Sequence, residues 1–546
     1  MSTRKQAWQA MSDYLPERLP AALRRERVSM TRFSGLGREG IETMRNLSPR
    51  KSPALATRMP RGLYVSAFGS GTPHGVAFFD GYLFFARGTH LYRTADGRSV
   101  ADMGTVSDTD KQFFVFGDRL YVYPDKLYLE KGGGMPGYVE LDTGIIEQVS
   151  FQGSKATLPD GLLWTALGFR PGDGLRVLNA DDSDPAPEGY YRIAELRGRE
   201  ATVVGSFPSV HMSDARFRRT VPDLERVCVS GDRVYGVIGQ DVYVSAAGSA
   251  MDFYSSKASD GSDPVILHTD TDGVFTACAP WQGYVVFFKS DRICRLMGTR
   301  SDSFTLTDVP AVGIPPHLAD TLCDVGGALL YCADGGVYRY RGQEPERVAP
   351  AGDSAVTGGR GGTDGYGYYL AVEQGEAGWS QYLYLPDTDV WFAEDEIHPT
   401  GMVRRDGYLC LQDSDGYVWL TSSDGRSTGC SFDERHVRGE VEASVTLAPD
   451  YGLQPDGARL TGLYIRATGG GGSEMEVRAS YADGQAGKDA VRSGEISLGV
   501  YKGKMTDRLL RIPVTAKLCD GVRLRLVMTG TWIVHAVIRE YERGGQ

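Results

Sequence analysis

The stretch Phe78-Phe79-Asp80-Gly81-Tyr82-Leu83-Phe84-Phe85 reads as an aromatic strand, a two-residue turn and a second aromatic strand. Asp-Gly suits a tight hairpin turn, whose central residues need positive φ, and aromatic residues suit half-buried strands. The same unit returns along the chain. It reads Phe116-Gly117-Asp118-Arg119-Leu120-Tyr121-Val122-Tyr123, then Ser230-Gly231-Asp232-Arg233-Val234-Tyr235, then Gln282-Gly283-Tyr284-Val285-Val286-Phe287-Phe288. Three more copies are Gly326-Gly327-Ala328-Leu329-Leu330-Tyr331, Asp364-Gly365-Tyr366-Gly367-Tyr368-Tyr369 and Asp406-Gly407-Tyr408-Leu409-Cys410.

The turn glycines fall at 81, 117, 231, 283, 327, 365 and 407, at intervals of 36, 114, 52, 44, 38 and 42 residues. Five of the six intervals lie near the 40–50 residue period of propeller blades. A four-stranded sheet cannot bury both faces alone, and radial packing of such sheets solves that. Residues 63–430 are therefore expected to form an all-β propeller of six to eight blades, seven favoured. The long interval holds one period and an insertion of about 70 residues. Within it, Phe169 to Leu178, Tyr190 to Leu196 and Ala201 to Gly205 suggest three to five short strands, a small barrel at 138–210. Propeller loops are where such partner-contacting insertions are grafted. Beyond 431 the pattern alternates: Ala443, Val445 and Leu447, then Leu463, Ile465 and Ala467, then Met475, Val477 and Ala479, then Val522, Leu524, Leu526 and Met528. This predicts a C-terminal β-sandwich of seven or eight strands over 431–546, with Gly469 to Gly472 as a hairpin tip.

Glycine makes up 70 of the 546 residues, and 29 Tyr, 20 Phe and 7 Trp accompany it. That glycine share is nearly twice the usual one and argues against a helical bundle or coiled coil. The net charge of −11 is uneven: residues 1–62 carry 13 Lys+Arg and 5 Asp+Glu, and the rest carry 46 and 65. A body at −19 argues against a broad DNA-grasping surface and suits one that DNA slides past. Ordinary solubility accounts for it as well.

Residues 1–62 read as a basic, irregular arm. Trp8, Met11 and Leu15 recur at helical spacing before Pro16 and Pro20, and Phe33 and Leu36 follow as further apolar anchors. Such an arm cannot form a core alone, so it is expected to lie against the body or a neighbouring subunit. Trp8, Met11, Leu15, Phe33 and Leu36 are the candidate partner-binding residues. No apolar signal core opens the chain, and no apolar run reaches the length of a membrane span.

The residues that carry chemistry form no constellation. The eight cysteines contain no CxxC, and runs such as Leu409-Cys410-Leu411 read as buried free thiols of a cytosolically made protein. The eight histidines form no HxxxH or HExxH. Asp270, Asp272 and Gly273 resemble a fragment of a calcium loop but lack the distal Glu, and Asp-Gly turn chemistry explains them. Asp415-Gly416-Tyr417-Val418-Trp419 misses the spacing of a sialidase Asp box. Gly358-Gly359-Arg360-Gly361-Gly362 lacks the strand-to-helix setting of a phosphate loop and reads as a mobile turn. No catalytic residue, cofactor or metal site is expected, and no enzymatic role.

The order of features resembles the propeller proteins of tailed-bacteriophage virions, namely the tail nozzle (tail tubular protein B) and the packaged-DNA stabilisation proteins. The most family-like stretch is Thr220-Val221-Pro222-Asp223-Leu224 with Arg233-Val234-Tyr235-Gly236, Val242-Tyr243-Val244-Ser245-Ala246 and Phe253-Tyr254. Phe287-Phe288-Lys289, Gly336-Val337-Tyr338, Asn46-Leu47-Ser48, Pro53-Ala54-Leu55 with Arg58, and Gly530-Thr531-Trp532-Ile533 resemble further family segments in the same order. Val234-Tyr235 replaces the commoner Leu-Trp, and Ala246-Ala247 departs from the Ser-Lys form. The resemblance covers nearly the whole chain. It implies a structural virion protein made in the host cytoplasm, in a ring with hexamer favoured. The ring would contact the tail adaptor, portal or other tail proteins and pass genomic DNA through its lumen. A receptor- or glycan-binding tail-tip propeller and a polysaccharide-degrading enzyme are the alternatives.

Overall fold

The computed structural model describes residues 27–31, 40–179, 187–256, 258, 260–350, 355–450, 458–482, 494–514, 518–519 and 521–543. Trp8, Met11, Leu15, Phe33 and Leu36 lie outside them. Seven antiparallel sheets follow one another at 73–105, 112–138, 226–268, 277–310, 323–350, 358–393 and 399–421. They are the blades of a seven-bladed propeller, numbered 1 to 7 in that order. All seven repeating glycines sit between the first and second strands of a blade, with φ from 59° at Gly231 to 104° at Gly365. In blades 1, 4 and 7 the residue before the glycine, Asp80, Gln282 or Asp406, also has positive φ, as a type I′ turn requires.

Apolar side chains fill the wedges between blades. Phe84, Leu91, Leu120 and Val122 join blades 1 and 2; Val237, Val242, Phe287 and Leu296 join blades 3 and 4. The ring is closed by a strand from before the repeats. Gly62–Val65 pairs with Val418–Thr421 of blade 7 and, on its other side, with Phe432–Asp433. The chain thus enters and leaves the propeller within one sheet, and Val65, Phe85, Val418 and Leu420 seal blade 7 against blade 1.

The insertion leaves blade 2 after Tyr138 and returns before Arg226. Among the described residues it has four strands, Leu141–Thr157, Gly174–Asn179, Gly189–Arg197 and Glu200–Arg219. Two of them are 17 and 20 residues long, where the sequence suggested only short ones. The last strand bends, so that one half pairs with Gly189–Arg197 and the other with Gly174–Asn179. Those two also pair with each other, which closes a small barrel. Trp164 fills its centre, 4.8 Å from the Phe217 ring and fully buried.

Among the described residues the C-terminal sandwich has a seven-stranded and a five-stranded sheet. It exceeds the expected strand count because the chain before the propeller supplies strands to both. Ile41–Arg45 pairs with Glu442–Asp450 in the smaller sheet, and Leu55–Thr57 pairs with Trp532–Arg543 in the larger. The Gly469–Gly472 segment is an arch, not a hairpin tip: Ala458–Gly469 belongs to the larger sheet and Glu474–Ala482 to the smaller. Alternation fixes which side chains point inward but is the same in both sheets, so it cannot say which sheet a strand joins.

The sandwich packs on blades 6 and 7, where Tyr369, Phe392, Leu411 and Trp419 share one continuous core with Leu447, Leu463 and Leu526. A buried ion cluster reinforces the junction. The fully buried Arg61 guanidinium donates to Asp395 at 2.6 Å and to Glu394 at 2.8 Å, and Arg58 donates to Glu434 at 2.6 Å.

Candidate functional site

The first strands of the seven blades surround a central channel with a cavity of about 470 Å³. Blade 6 contributes Gly358–Thr363, the segment that reads as a mobile turn in the sequence. It is a strand, and its glycines answer to crowding. A Cβ on Gly361 would lie 2.3 Å from the Thr321 carbonyl oxygen, and one on Gly362 would lie 2.7 Å from the Met402 Cβ. The glycine run lets the backbone of this strand approach its neighbours and aims Arg360 into the channel.

A chain of charges crosses the channel where the first strands begin. His74 of blade 1 places Nε2 2.7 Å from Asp108 and Nδ1 3.1 Å from Asp110. The ring thus bridges two carboxylates, one at each nitrogen. Arg360 donates to Asp110 through Nη2 and to Asp320 through Nη1, the latter at 2.8 Å. Arg226 of blade 3 donates to the other Asp320 oxygen at 2.8 Å. Arg360 belongs to blade 6, Asp110 precedes blade 2 and Asp320 precedes blade 5, so the Arg360–Asp110 and Arg226–Asp320 links join blades that are not neighbours. Burial pushes the Asp110 carboxyl up, but Arg360 and His74 outweigh it and hold it below its ordinary value. Lys111, beside this chain, is held by the Ser107 carbonyl at 2.6 Å and by Asp125 at 2.7 Å. His398 stacks on Trp379 at 4.1 Å, and burial lowers its pKa.

Three buried thiols have raised pKa values. Burial pushes Cys332 and Cys410 up to about 12. Cys228 is raised chiefly by its contact with Cys278 and then by burial. Among the described residues no group of three or more His, Cys, Asp or Glu is placed to hold a metal ion. The arrangement braces the ring across its axis.

A second concavity, of about 620 Å³, lies between blades 7 and 1 over the closing strand. Tyr64 and Tyr408 line it, and Phe68 and Phe432 stand exposed at its walls, 43% and 57% accessible. Arg405 lies over the rings of Tyr64 at 4.4 Å and Phe78 at 4.6 Å.

Sequence reasoning missed both ion-pair systems. Arg58 and Arg61 fall within the basic arm of residues 1–62, and Glu394 and Asp395 stand in no motif of the sequence. The only signal was that both segments flank strand patterns; nothing in the sequence pairs them across more than 330 positions.

No protein-family model matches the chain, and no curated protein matches it. Among solved structures, the computationally designed Ika8 protein aligns at 11% identity over 66% of this chain and 99% of its own, with a TM-score of 0.36. BamB from Moraxella catarrhalis aligns at 11% identity over 72% of this chain and 98% of its own, with a TM-score of 0.32. Kluyveromyces lactis Hsv2 aligns at 7% identity over 70% and 95%, with a TM-score of 0.30. At these values the likenesses carry nothing about function. The class defined by the strand pairing is a seven-bladed β-propeller with an inserted barrel and a C-terminal sandwich.

Proposed function

We propose that the chain is a structural subunit of a bacteriophage tail, forming a nozzle or hub ring around the DNA exit channel. The observation that carries this reading is the chain of charges across the propeller axis. A propeller braced between non-neighbouring blades serves as a rigid wall and not as a conduit. DNA would then pass between subunits, through the lumen of a ring, hexamer favoured. The collinear family-like motifs support the same reading, as does the body at −19, which would face DNA without gripping it. The basic residues that precede Gly40 would dock on acidic surfaces of the tail adaptor, portal or a ring neighbour. The role is non-enzymatic. Mass photometry of the purified chain and cryo-EM of virions test it, and finding only monomers in both refutes the ring.

One observation favours a second reading, a receptor- or glycan-binding tail-tip propeller: the groove between blades 7 and 1 has exposed aromatic walls at Phe68 and Phe432. Glycan-array binding that disappears in Phe68→Ala/Phe432→Ala would support it, and absence of binding by the wild type would remove it.

A further inference from the structure

The two accessory units sit on opposite sides of the seven-bladed ring. The insertion joins blades 2 and 3, whereas the sandwich packs on blades 6 and 7. Each presents an unpaired sheet edge among the described residues. The insertion strand Leu141–Thr157 is bonded only to Glu200–Arg219. On the sandwich, Ile496–Lys502 and Met505–Ile512 end the smaller and the larger sheet and follow each other in the chain. An open edge is a template for pairing with another chain unless it is blunted.

Both edges carry exposed apolar side chains. On the insertion edge Ile145 is 64% accessible, and just before it in the chain Tyr138 of blade 2 and Met135 are 72% and 70% accessible. On the sandwich edge, Ile496 and Val500 are 44% and 47% accessible. Once the internal ion pairs are set aside, the charges that remain unpaired on the two edges among the described residues are opposite in sign. The exposed Glu147 stands directly across from the half-buried Asp214 in the strand register, a like-charge pairing that costs stability in isolation. Lys504, Arg508 and Arg511 are exposed on the sandwich edge and form no ion pair among the described residues.

We infer that the insertion edge of one copy docks on the sandwich edge of a second copy. Cations at Lys504, Arg508 and Arg511 would relieve the Glu147–Asp214 repulsion, and Ile145 and Tyr138 would cover Ile496 and Val500. Because the two surfaces differ and lie on opposite sides, the contact is head-to-tail, the kind that closes into a ring. This inference rests on the ring reading above and names the surfaces that build it.

The test uses the full chain and mass photometry over a concentration series. Glu147→Lys/Asp214→Lys and Arg508→Glu/Arg511→Glu are each expected to raise the concentration for half-assembly at least tenfold. The variant carrying all four changes is expected to return to within threefold of wild type. Assembly that ignores both reversals overturns the docking and leaves the ring standing; a wild type that stays monomeric overturns both. If a reversed variant misfolds, zero-length carbodiimide cross-linking of the wild-type assembly decides. A Lys504–Glu147 link between copies supports the contact, and inter-copy links confined to other faces overturn it.

Discussion

Replacing Arg61 with methionine removes the centre of the buried charge cluster that joins the closing strand, blade 6 and the sandwich. Its guanidinium holds Asp395 through both terminal nitrogens, at 2.6 and 3.0 Å, and Glu394 at 2.8 Å. The cluster contains two guanidinium groups, Arg58 and Arg61, and three carboxylates, Glu394, Asp395 and Glu434. Burial, with a smaller push from the Asp395 charge, raises Glu394 against Arg61 and Arg58, whereas Asp395 is held well below its ordinary value, with Arg61 the largest of the causes opposing burial. Methionine keeps most of the volume and leaves two of three buried carboxylates without their principal cation. Breaking a buried ion pair from one side costs about 3–5 kcal/mol. Because Gly62–Val65 follows directly, the cost falls on the strand that closes the ring. Hydrogen exchange measured at the amides of residues 62–65 reads it, with an expected acceleration of roughly 10²- to 10⁴-fold. Arg61→Lys should lie between, since a point charge cannot hold two carboxylates in a fork. Arg61→Met/Glu394→Gln should recover part of the loss. An acceleration below about tenfold in Arg61→Met would refute the reasoning, because the cluster would then be solvated in solution.

Four further outcomes follow from the geometry. Asp110 has a depressed carboxyl pKa, so its contribution is complete above the ordinary value of about 4 and is lost as pH falls through the folded value. Asp110→Asn should therefore melt below wild type at neutral pH by no more than about 1 kcal/mol, because the group is partly exposed, and the difference should vanish towards pH of about 2. Gly361→Ala should cost about 1–3 kcal/mol in thermal unfolding, from the 2.3 Å approach to Thr321. Trp164→Ala should cost about 3–5 kcal/mol within the inserted barrel, seen as limited proteolysis between 141 and 219 while the propeller resists. Cys410, fully buried and raised to about 12, should escape iodoacetamide in the folded protein and react on denaturation, as mass spectrometry of the peptides will report.

The turn chemistry is local, and the sequence determined it. Gly81, Gly117, Gly231, Gly283, Gly327, Gly365 and Gly407 each occupy a positive φ because the first hairpin of each blade demands it, so their spacing pointed to six to eight blades with seven favoured. Inward-pointing residues of the sandwich, such as Val445, Ile465 and Val477, were equally legible, because a period of two needs only neighbouring residues. Partnership between distant segments was decided by tertiary structure alone. Ile41 and Leu55 lie in a segment with no periodicity of its own, yet both are buried in the sandwich, because the two sheets leave edges that this segment completes. The glycines at 358–362 carried no turn; they are small because Thr321 and Met402 press against that strand from other blades. Arg61 with Asp395, and Arg360 with Asp110, join residues more than 240 positions apart. A charge in sequence is solvated by default, and only the fold shows which ones lose their water and must find each other.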